Sequence, residues 1–477
     1  MSPDSPERMV RPLPLALLVL AGLLALVHLA LPLASLPAFA SLNYNEGWNA
    51  YHATAVFSER PLYPPPGDLF PNNYPPLSFA VVALLEGLFG DPVLAGRLLS
   101  LLSFLGICVE IALLARRASG SWRHGLFAGL LFAALLGAAF GDYIGMNDPQ
   151  LLAHALVLGG ALLVTSGRSP ARIATAALLM SLGGLVKHNL IALPLAITAW
   201  LWLRDRKAFG LWAAASAAWI GVALVGLWLV HGSDVFRSIL GVRETSLQTA
   251  ANMSGIWLRS LAAPLAIGAL ALREAWRDPD AQWLSLYAAL GLALGVGFTA
   301  GEGVNYNAFF DLTIGLSLLG SFLLSRGGYP IPVVALALAL LVDPLLRGPH
   351  AWLGRGPSLL EIAKLEAATK RDVEYLSAVE GPVLCETLSL CFWAGKPEAV
   401  DLFNSRQAFW AGRADEQQLV ERIARREFAV VQLLSVHKNR NDRRVSAGLA
   451  SALLRDYLVD RVSANGVFLR PRRGTAR

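Results

Sequence analysis

Acidic, amide and aromatic side chains gather in a few short clusters that interrupt an otherwise apolar chain of 477 residues. The first cluster is Asn43-Tyr44-Asn45-Glu46-Gly47-Trp48-Asn49-Ala50-Tyr51-His52. A carboxylate such as Glu46, held at the edge of a membrane, can take a proton from a hydroxyl as a general base. The same carboxylate in a first helical turn, behind Asn45 as N-cap, can serve the helix end alone. Both readings stand. The second cluster is Asp142-Tyr143-Ile144-Gly145-Met146-Asn147-Asp148-Pro149. Asn147 or Asp148 can cap a helix starting at Pro149, a favoured proline position. Such a cap also points a carboxylate out of the membrane, so capping and catalysis are compatible. The oxygens of Glu46, Asp142 and Asp148 suit a divalent cation, although no spacing rule demands one. No other cofactor is implied.

Cations come from elsewhere. Lys187-His188-Asn189 breaks a long, mostly apolar run. An ionisable group at membrane depth is costly and is by default a functional candidate. Lys187 can pair with a lipid phosphate or snorkel to the interface. Arg97 opens another apolar run at the same level, with Arg237 and Arg243 as weaker candidates. A last cluster, Gly301-Glu302-Gly303-Val304-Asn305-Tyr306-Asn307, precedes Asp311. Its Asn305 and Tyr306 suit hydrogen bonding to sugar or phosphate, or simple turn formation.

The elements that position these clusters must cross a bilayer. The chain is 55% hydrophobic and 16% charged, with a mean hydropathy of +0.51. Apolar runs recur from about residue 12 to 346 and predict about eleven spans of the ~20 residues a hydrocarbon core requires. The expected fold is therefore mainly α: a polytopic helical bundle over 1–346. The final expected span covers 328–346. Residues 12–33 are read as a retained anchor, although Ala38-Phe39-Ala40 resembles a cleavage site. With the N-terminus inside, thirteen Lys and Arg fall in inner loops and four in outer ones, which favours that orientation. An odd span count puts the C-terminal part outside. The parity requires residues 75–90 to lie in the interface rather than span. The polar clusters then share the outer face, around a proline-stiffened loop at 34–94.

Residues 347–477 read as a soluble extracytoplasmic α/β domain. An amphipathic helix is expected at 358–380, strands at 382–387, 399–403, 428–434 and 464–469, and a helix at 416–426. The formal net charge of +6 resides entirely in this tail. It suits either contact with anionic headgroups or a groove for an anionic acceptor. Nucleic acid is not an expected partner of an outward domain. Cys385 and Cys391 are a disulfide candidate in that compartment. The sequence carries no Walker loop, dinucleotide fingerprint, HExxH or GxSxG.

The order of motifs resembles the polytopic GT-C glycosyltransferases, especially relatives of the aminoarabinose and protein O-mannosyl transferases. Asn45-Glu46 with Tyr51 and Ala53, Tyr74-Pro75-Pro76-Leu77, Phe89-Gly90 with Arg97, Asp148 and Lys187 follow that pattern over roughly residues 12–200. Two positions depart from it. Asn45 stands where the family usually has an aspartate, often assigned as base. Tyr74 stands where it has a phosphate-contacting lysine. The resemblance implies sugar transfer, with inversion, from a polyprenyl-phosphate lipid to a hydroxyl of a glycolipid, glycan or protein. The base would be Glu46 or Asp148. Donor phosphate would fall to Lys187 and Arg97, with His188, Tyr74, Asn45, Asn305 and Tyr306 around them. A bacterial-type inner or plasma membrane is the implied location, with membrane lipids as partners. The competing expectations are a lipid or glycan transporter, which would place charges at the midplane, and a non-catalytic polysaccharide-assembly protein.

Overall fold

A computed structural model describes residues 13–326, 358–435 and 445–472. The expected span at 328–346 lies outside the described residues. Among the described residues five helices are long and apolar enough to cross a bilayer: Leu15–Ser35, Pro92–Ser119, Trp122–Ile144, Arg206–His231 and Tyr306–Arg326. A sixth span is completed if Leu247–Arg259 and Ala262–Arg277, bent by 83° at their junction, count as one. The expected count of about eleven spans is not confirmed among the described residues. Gln150–Ser166, Pro170–Val186, Ala192–Arg204 and Gln282–Phe298 are apolar but have 13 to 17 residues. Three of them have 17 residues, the lower end of the length range for a crossing, and Ala192–Arg204 has 13.

Helix ends follow local chemistry. Leu77–Phe89 has 13 residues and stops at Gly90, whose φ of 73° is left-handed, a conformation that glycine adopts without strain. Asp91 then caps the next helix through Val93 N, with Pro92 in its first turn. This sharp turn brings Leu77–Phe89 back against Pro92–Ser119 and holds the 77–89 segment too short to span.

The helices that carry the polar clusters are α1 (Leu15–Ser35), α2 (Asn45–Ala55), α3 (Leu77–Phe89), α4 (Pro92–Ser119), α5 (Gln150–Ser166) and α6 (Pro170–Val186). Leu17, Leu24, Phe104, Phe132, Leu136 and Phe322 are among the buried residues of the bundle core. By contrast, Arg206–His231 leaves Val222, Trp228 and Leu229 exposed, as befits a helix whose surroundings are hydrocarbon.

Beyond residue 358 a four-stranded sheet forms in the order β1-β2-β4-β3, from β1 (Val383–Cys385), β2 (Val430–Leu433), β3 (Tyr457–Ser463) and β4 (Gly466–Pro471). β1 and β2 are parallel, whereas β4 runs antiparallel to both β2 and β3. The strand expected at 399–403 is not one. Asp401 accepts from Phe403 N and Asn404 N and starts a helix at Leu402–Trp410, because an N-cap carboxylate satisfies free helix N–H groups. The strand expected at 464–469 forms as β4, the second arm of a hairpin whose first arm, β3, is not among the expected strands.

This C-terminal part and the first long loop share a core. Trp48, Tyr51, Phe70 and Phe79 pack in one cluster with Leu376, Val383, Leu388 and Phe468. Cys385 and Cys391 are joined by a disulfide, and the short helix Leu388–Trp393, which carries Cys391, lies on α2. A Cβ at Gly47 would collide with the backbone of Leu388 and Ser389, so only glycine lets the two helices approach this closely.

Candidate functional site

Three chain segments meet at the start of α2: the head of α4, the turn before α5, and the end of α6. Glu46 is fully buried. Arg97 donates to both its oxygens, Nε to Oε1 at 2.7 Å and Nη2 to Oε2 at 2.8 Å. Leu42 N and Asn147 N add two more donors, at 2.8 and 3.2 Å. Arg97 spends its remaining hydrogens on the main-chain oxygens of Leu36, Ala38 and Ala40.

This pair corrects the expectations for both residues. A carboxylate with four donors and no solvent has no lone pair positioned to take a substrate proton. A guanidinium closed over a carboxylate and three carbonyls has no hydrogen left for a phosphate. Glu46 and Arg97 instead form a saturated ion pair that ties α1, α2, α4 and the 147 turn together. Removing one partner of such a buried pair typically costs about 3–5 kcal/mol.

Asp148 is also buried, but less completely engaged. Its Oδ1 accepts from Gln150 N at 2.9 Å, and its Oδ2 from Asn45 Nδ2 at 3.3 Å. Ser100 holds its main-chain oxygen at 3.1 Å. Asn45 is thus a donor to the carboxylate. An aspartate in its place would set two like charges side by side, and one would remain protonated.

Lys187 ends α6 and lies 3.7 Å from Asp148 Oδ1. Its Nζ sits 4.9 Å from the centroid of the Tyr74 ring, a cation–π distance. Tyr74 therefore takes part by offering its ring face to the lysine. The ammonium is buried and, among the described residues, makes no hydrogen bond. An ammonium in that state is left with unused donors, and an anion is the group that would use them.

The remaining candidates lie apart from this centre. His188 is exposed beside Lys187. Asp142 accepts from Asn43 Nδ2 at 3.3 Å. Asn305 accepts from Tyr306 N, and Tyr306 packs on Trp257 with ring centroids 3.8 Å apart. Among the described residues no three His, Cys, Asp or Glu side chains form a group that could hold a metal.

Sequence reasoning missed one buried network. Asn307 Nδ2 donates to Gln150 Oε1 at 2.9 Å, and Gln150 Nε2 lies 2.8 Å from His154 Nε2. His154 Nδ1 faces Asp311 Oδ1 at 3.7 Å, which also accepts from Tyr287. Because Gln150 N also donates to Asp148 Oδ1, this network braces the turn that carries the carboxylate. The available signal was Gln150 and His154 four residues apart on an apolar helix, a spacing that places both on one face.

The C-terminal part closes over the same region. Tyr44 OH donates to the buried Asp401 Oδ1 at 2.7 Å, and Asn73 to Asn404 at 2.9 Å. Tyr51 OH donates to Lys396 O at 2.7 Å, and Trp393 Nε1 to Asp91 at 3.3 Å.

A family model described as a 6-pyruvoyl-tetrahydropterin synthase related domain, membrane protein, matches residues 72–234, a stretch that includes Tyr74, Arg97, Asp148 and Lys187. No curated protein sequence matches the chain. Solved structures do. ArnT from Cupriavidus metallidurans in the apo state superposes with a TM-score of 0.63 at 15% identity, covering 94% of this chain and 97% of that one. The same protein bound to undecaprenyl phosphate gives 0.59 at 14%, over 96% and 98%. The oligosaccharyltransferase of Archaeoglobus fulgidus, tethered to an acceptor peptide, gives 0.53 at 13%, over 96% of this chain and 74% of that one. At these identities the likeness speaks for architecture: the chain is a membrane protein with the GT-C fold.

Proposed function

We infer that this protein transfers a monosaccharide from a polyprenyl-phosphate lipid to a hydroxyl acceptor, at the membrane edge where Asp148 and Lys187 meet. The observation that carries this reading is the Lys187 ammonium, buried at 4% exposure without a hydrogen-bond acceptor among the described residues and 3.7 Å from a buried carboxylate. A lipid phosphate is the anion that a site at headgroup level encounters. The undecaprenyl phosphate in the ArnT structure supports the same lipid class.

In this reading the acceptor oxygen attacks the anomeric carbon as the bond from that carbon to the phosphate oxygen breaks. The phosphate leaves with the electron pair, and Lys187 stabilises the charge it gains. The acceptor proton passes to Asp148, oriented by Asn45 and Gln150 N. Attack opposite the leaving phosphate inverts the anomeric centre, as with an inverting carboxylate base. Glu46 and Arg97 hold the frame. The Lys and Arg distribution supports a reading in which this chemistry is on the extracytoplasmic face, with the N-terminus inside and the region after residue 347 as an outward domain. No bound metal is required by any step derived from these residues.

Native mass spectrometry of the purified protein with undecaprenyl phosphate tests the cationic subsite. Lys187→Ala is expected to weaken binding at least tenfold, and Lys187→Arg to retain part of it. Equal binding by Lys187→Ala and wild type would remove the phosphate from this position.

A further inference from the structure

A small cavity between α2, α3, α4 and the Asp148 turn plays no part in the steps above. Asn49, Ser78, Phe79, Gly96, Asn147 and Asp148 contribute to its wall. It has room for about one water-sized group, close to 10 Å³. Two polar atoms on it stand out. Ser78 Oγ and Asn49 Oδ1 are buried and have no hydrogen-bond partner among the described residues. The two residues are 4% and 3% exposed. Buried side-chain polar atoms are overwhelmingly paired in folded proteins, so two unpaired on one cavity indicate a polar group that belongs there.

Their chemistry narrows what that group is. Asn49 Nδ2 donates to Asn147 O at 2.7 Å, which fixes the amide and leaves its carbonyl as an acceptor. Ser78 offers one donor and two lone pairs. An acceptor beside a hydroxyl complements a group that both donates and accepts, which is a hydroxyl. An anion would meet the Asn49 carbonyl and the Asp148 carboxylate at close quarters and be repelled. Apolar groups would leave both atoms unpaired.

The geometry points to a hydroxyl-reading subsite in which Asn49 and Ser78 bind one hydroxyl of the lipid-borne sugar, beside Asp148. This rests on the transfer reading and adds to it the part of the sugar that the site selects. A site built to hydrogen-bond a hydroxyl rejects analogues lacking it far more strongly than an apolar pocket discriminates by size. A resident water has the same hydrogen-bonding chemistry, so the test separates the two sources.

Full-length wild type, Ser78→Ala and Ser78→Thr are titrated by native mass spectrometry with two kinds of lipid. One is bare undecaprenyl phosphate. The other is undecaprenyl phosphate carrying glucose, galactose, mannose or arabinose. Wild type is expected to prefer at least one sugar-bearing lipid over the bare one. Ser78→Ala should lose about fivefold for that lipid, the scale of one neutral hydrogen bond, and nothing for bare undecaprenyl phosphate. Ser78→Thr should recover part of the loss. The melting temperature of unliganded Ser78→Ala should be equal or higher, because an unpaired buried hydroxyl is gone. The subsite is overturned if Ser78→Ala affects both lipids alike or neither. It is overturned in favour of a resident water if Ser78→Ala lowers the unliganded melting temperature without changing sugar preference. Failure of wild type to bind bare undecaprenyl phosphate overturns the transfer reading itself, and the subsite with it.

Discussion

Asp148 and Glu46 are both buried carboxylates in polar clusters, yet their partners divide their roles. Glu46 has Arg97 closed over it and two main-chain donors besides. Asp148 has one main-chain donor, one amide and a lysine at 3.7 Å. Substitution should separate them. Asp148→Asn is expected to abolish transfer, by three orders of magnitude or more, with a melting temperature within a few degrees of wild type. Glu46→Gln should lower the melting temperature markedly, because a buried guanidinium loses its counter-charge at a cost of about 3–5 kcal/mol. Thermal unfolding monitored beside a transfer assay checks both. A stable, inactive Glu46→Gln would return the base to Glu46. The sequence alone marks both carboxylates as candidates and cannot rank them. The ranking depends on which cation neutralises which acid, and Arg97 lies 51 residues from Glu46. Asn45 and Tyr74, the two departures from the family pattern, also become intelligible only in three dimensions. One donates to Asp148, and the other gives Lys187 a ring face.

At the scale of elements, α2 is the hinge between site and cover. Its start carries Glu46, and Gly47 admits the disulfide-tethered helix Leu388–Trp393. Gly47→Ala should force these helices apart, with an overpacking cost of about 1–3 kcal/mol. The expected result is a lower melting temperature and faster limited proteolysis after residue 358. Unchanged proteolysis would mean that the covering part is held elsewhere. Helix starts and stops in this region are legible in local sequence: Pro92 behind Asp91, Gly90 between two helices, and Lys187 at the end of an apolar run. The count of about eleven spans is not confirmed among the described residues. Hydropathy registers long apolar runs, whereas the helices within them end after 13 to 17 residues at several places. The strand expected at 399–403 fails for a similar reason. The alternation of Val400 and Leu402 suggests a strand, but the cap at Asp401 decides for a helix.

Across the whole molecule, the first long loop and the C-terminal part share one aromatic core, and a histidine is sealed in it. His52 is 1% exposed, with Trp48, Phe70 and Phe79 centroids 4.3, 5.2 and 5.3 Å away. Burial, then the Arg60 charge, depresses its pKa well below the ordinary 6.5. The folded state therefore binds fewer protons than the unfolded one, so His52 contributes stability above pH 6.5 that is lost as pH falls. The melting temperature should drop as pH is lowered from about 7 to 5, and His52→Phe should reduce that slope. An unchanged slope would mean that His52 is not sealed. Nothing in the sequence places this loop against the tail, because the shared core joins residues more than 300 positions apart. The central claim, that Asp148 and Lys187 transfer a lipid-borne sugar, is tested most directly in cells. Mass spectrometry would compare lipid-linked sugars and envelope glycans in cells with the wild-type protein, without it, and with Asp148→Asn. The account predicts that deletion and Asp148→Asn alike build up one polyprenyl-phosphate-linked monosaccharide and deplete one glycan of that sugar. Unchanged glycans in both strains, or full transfer by Asp148→Asn, would contradict it.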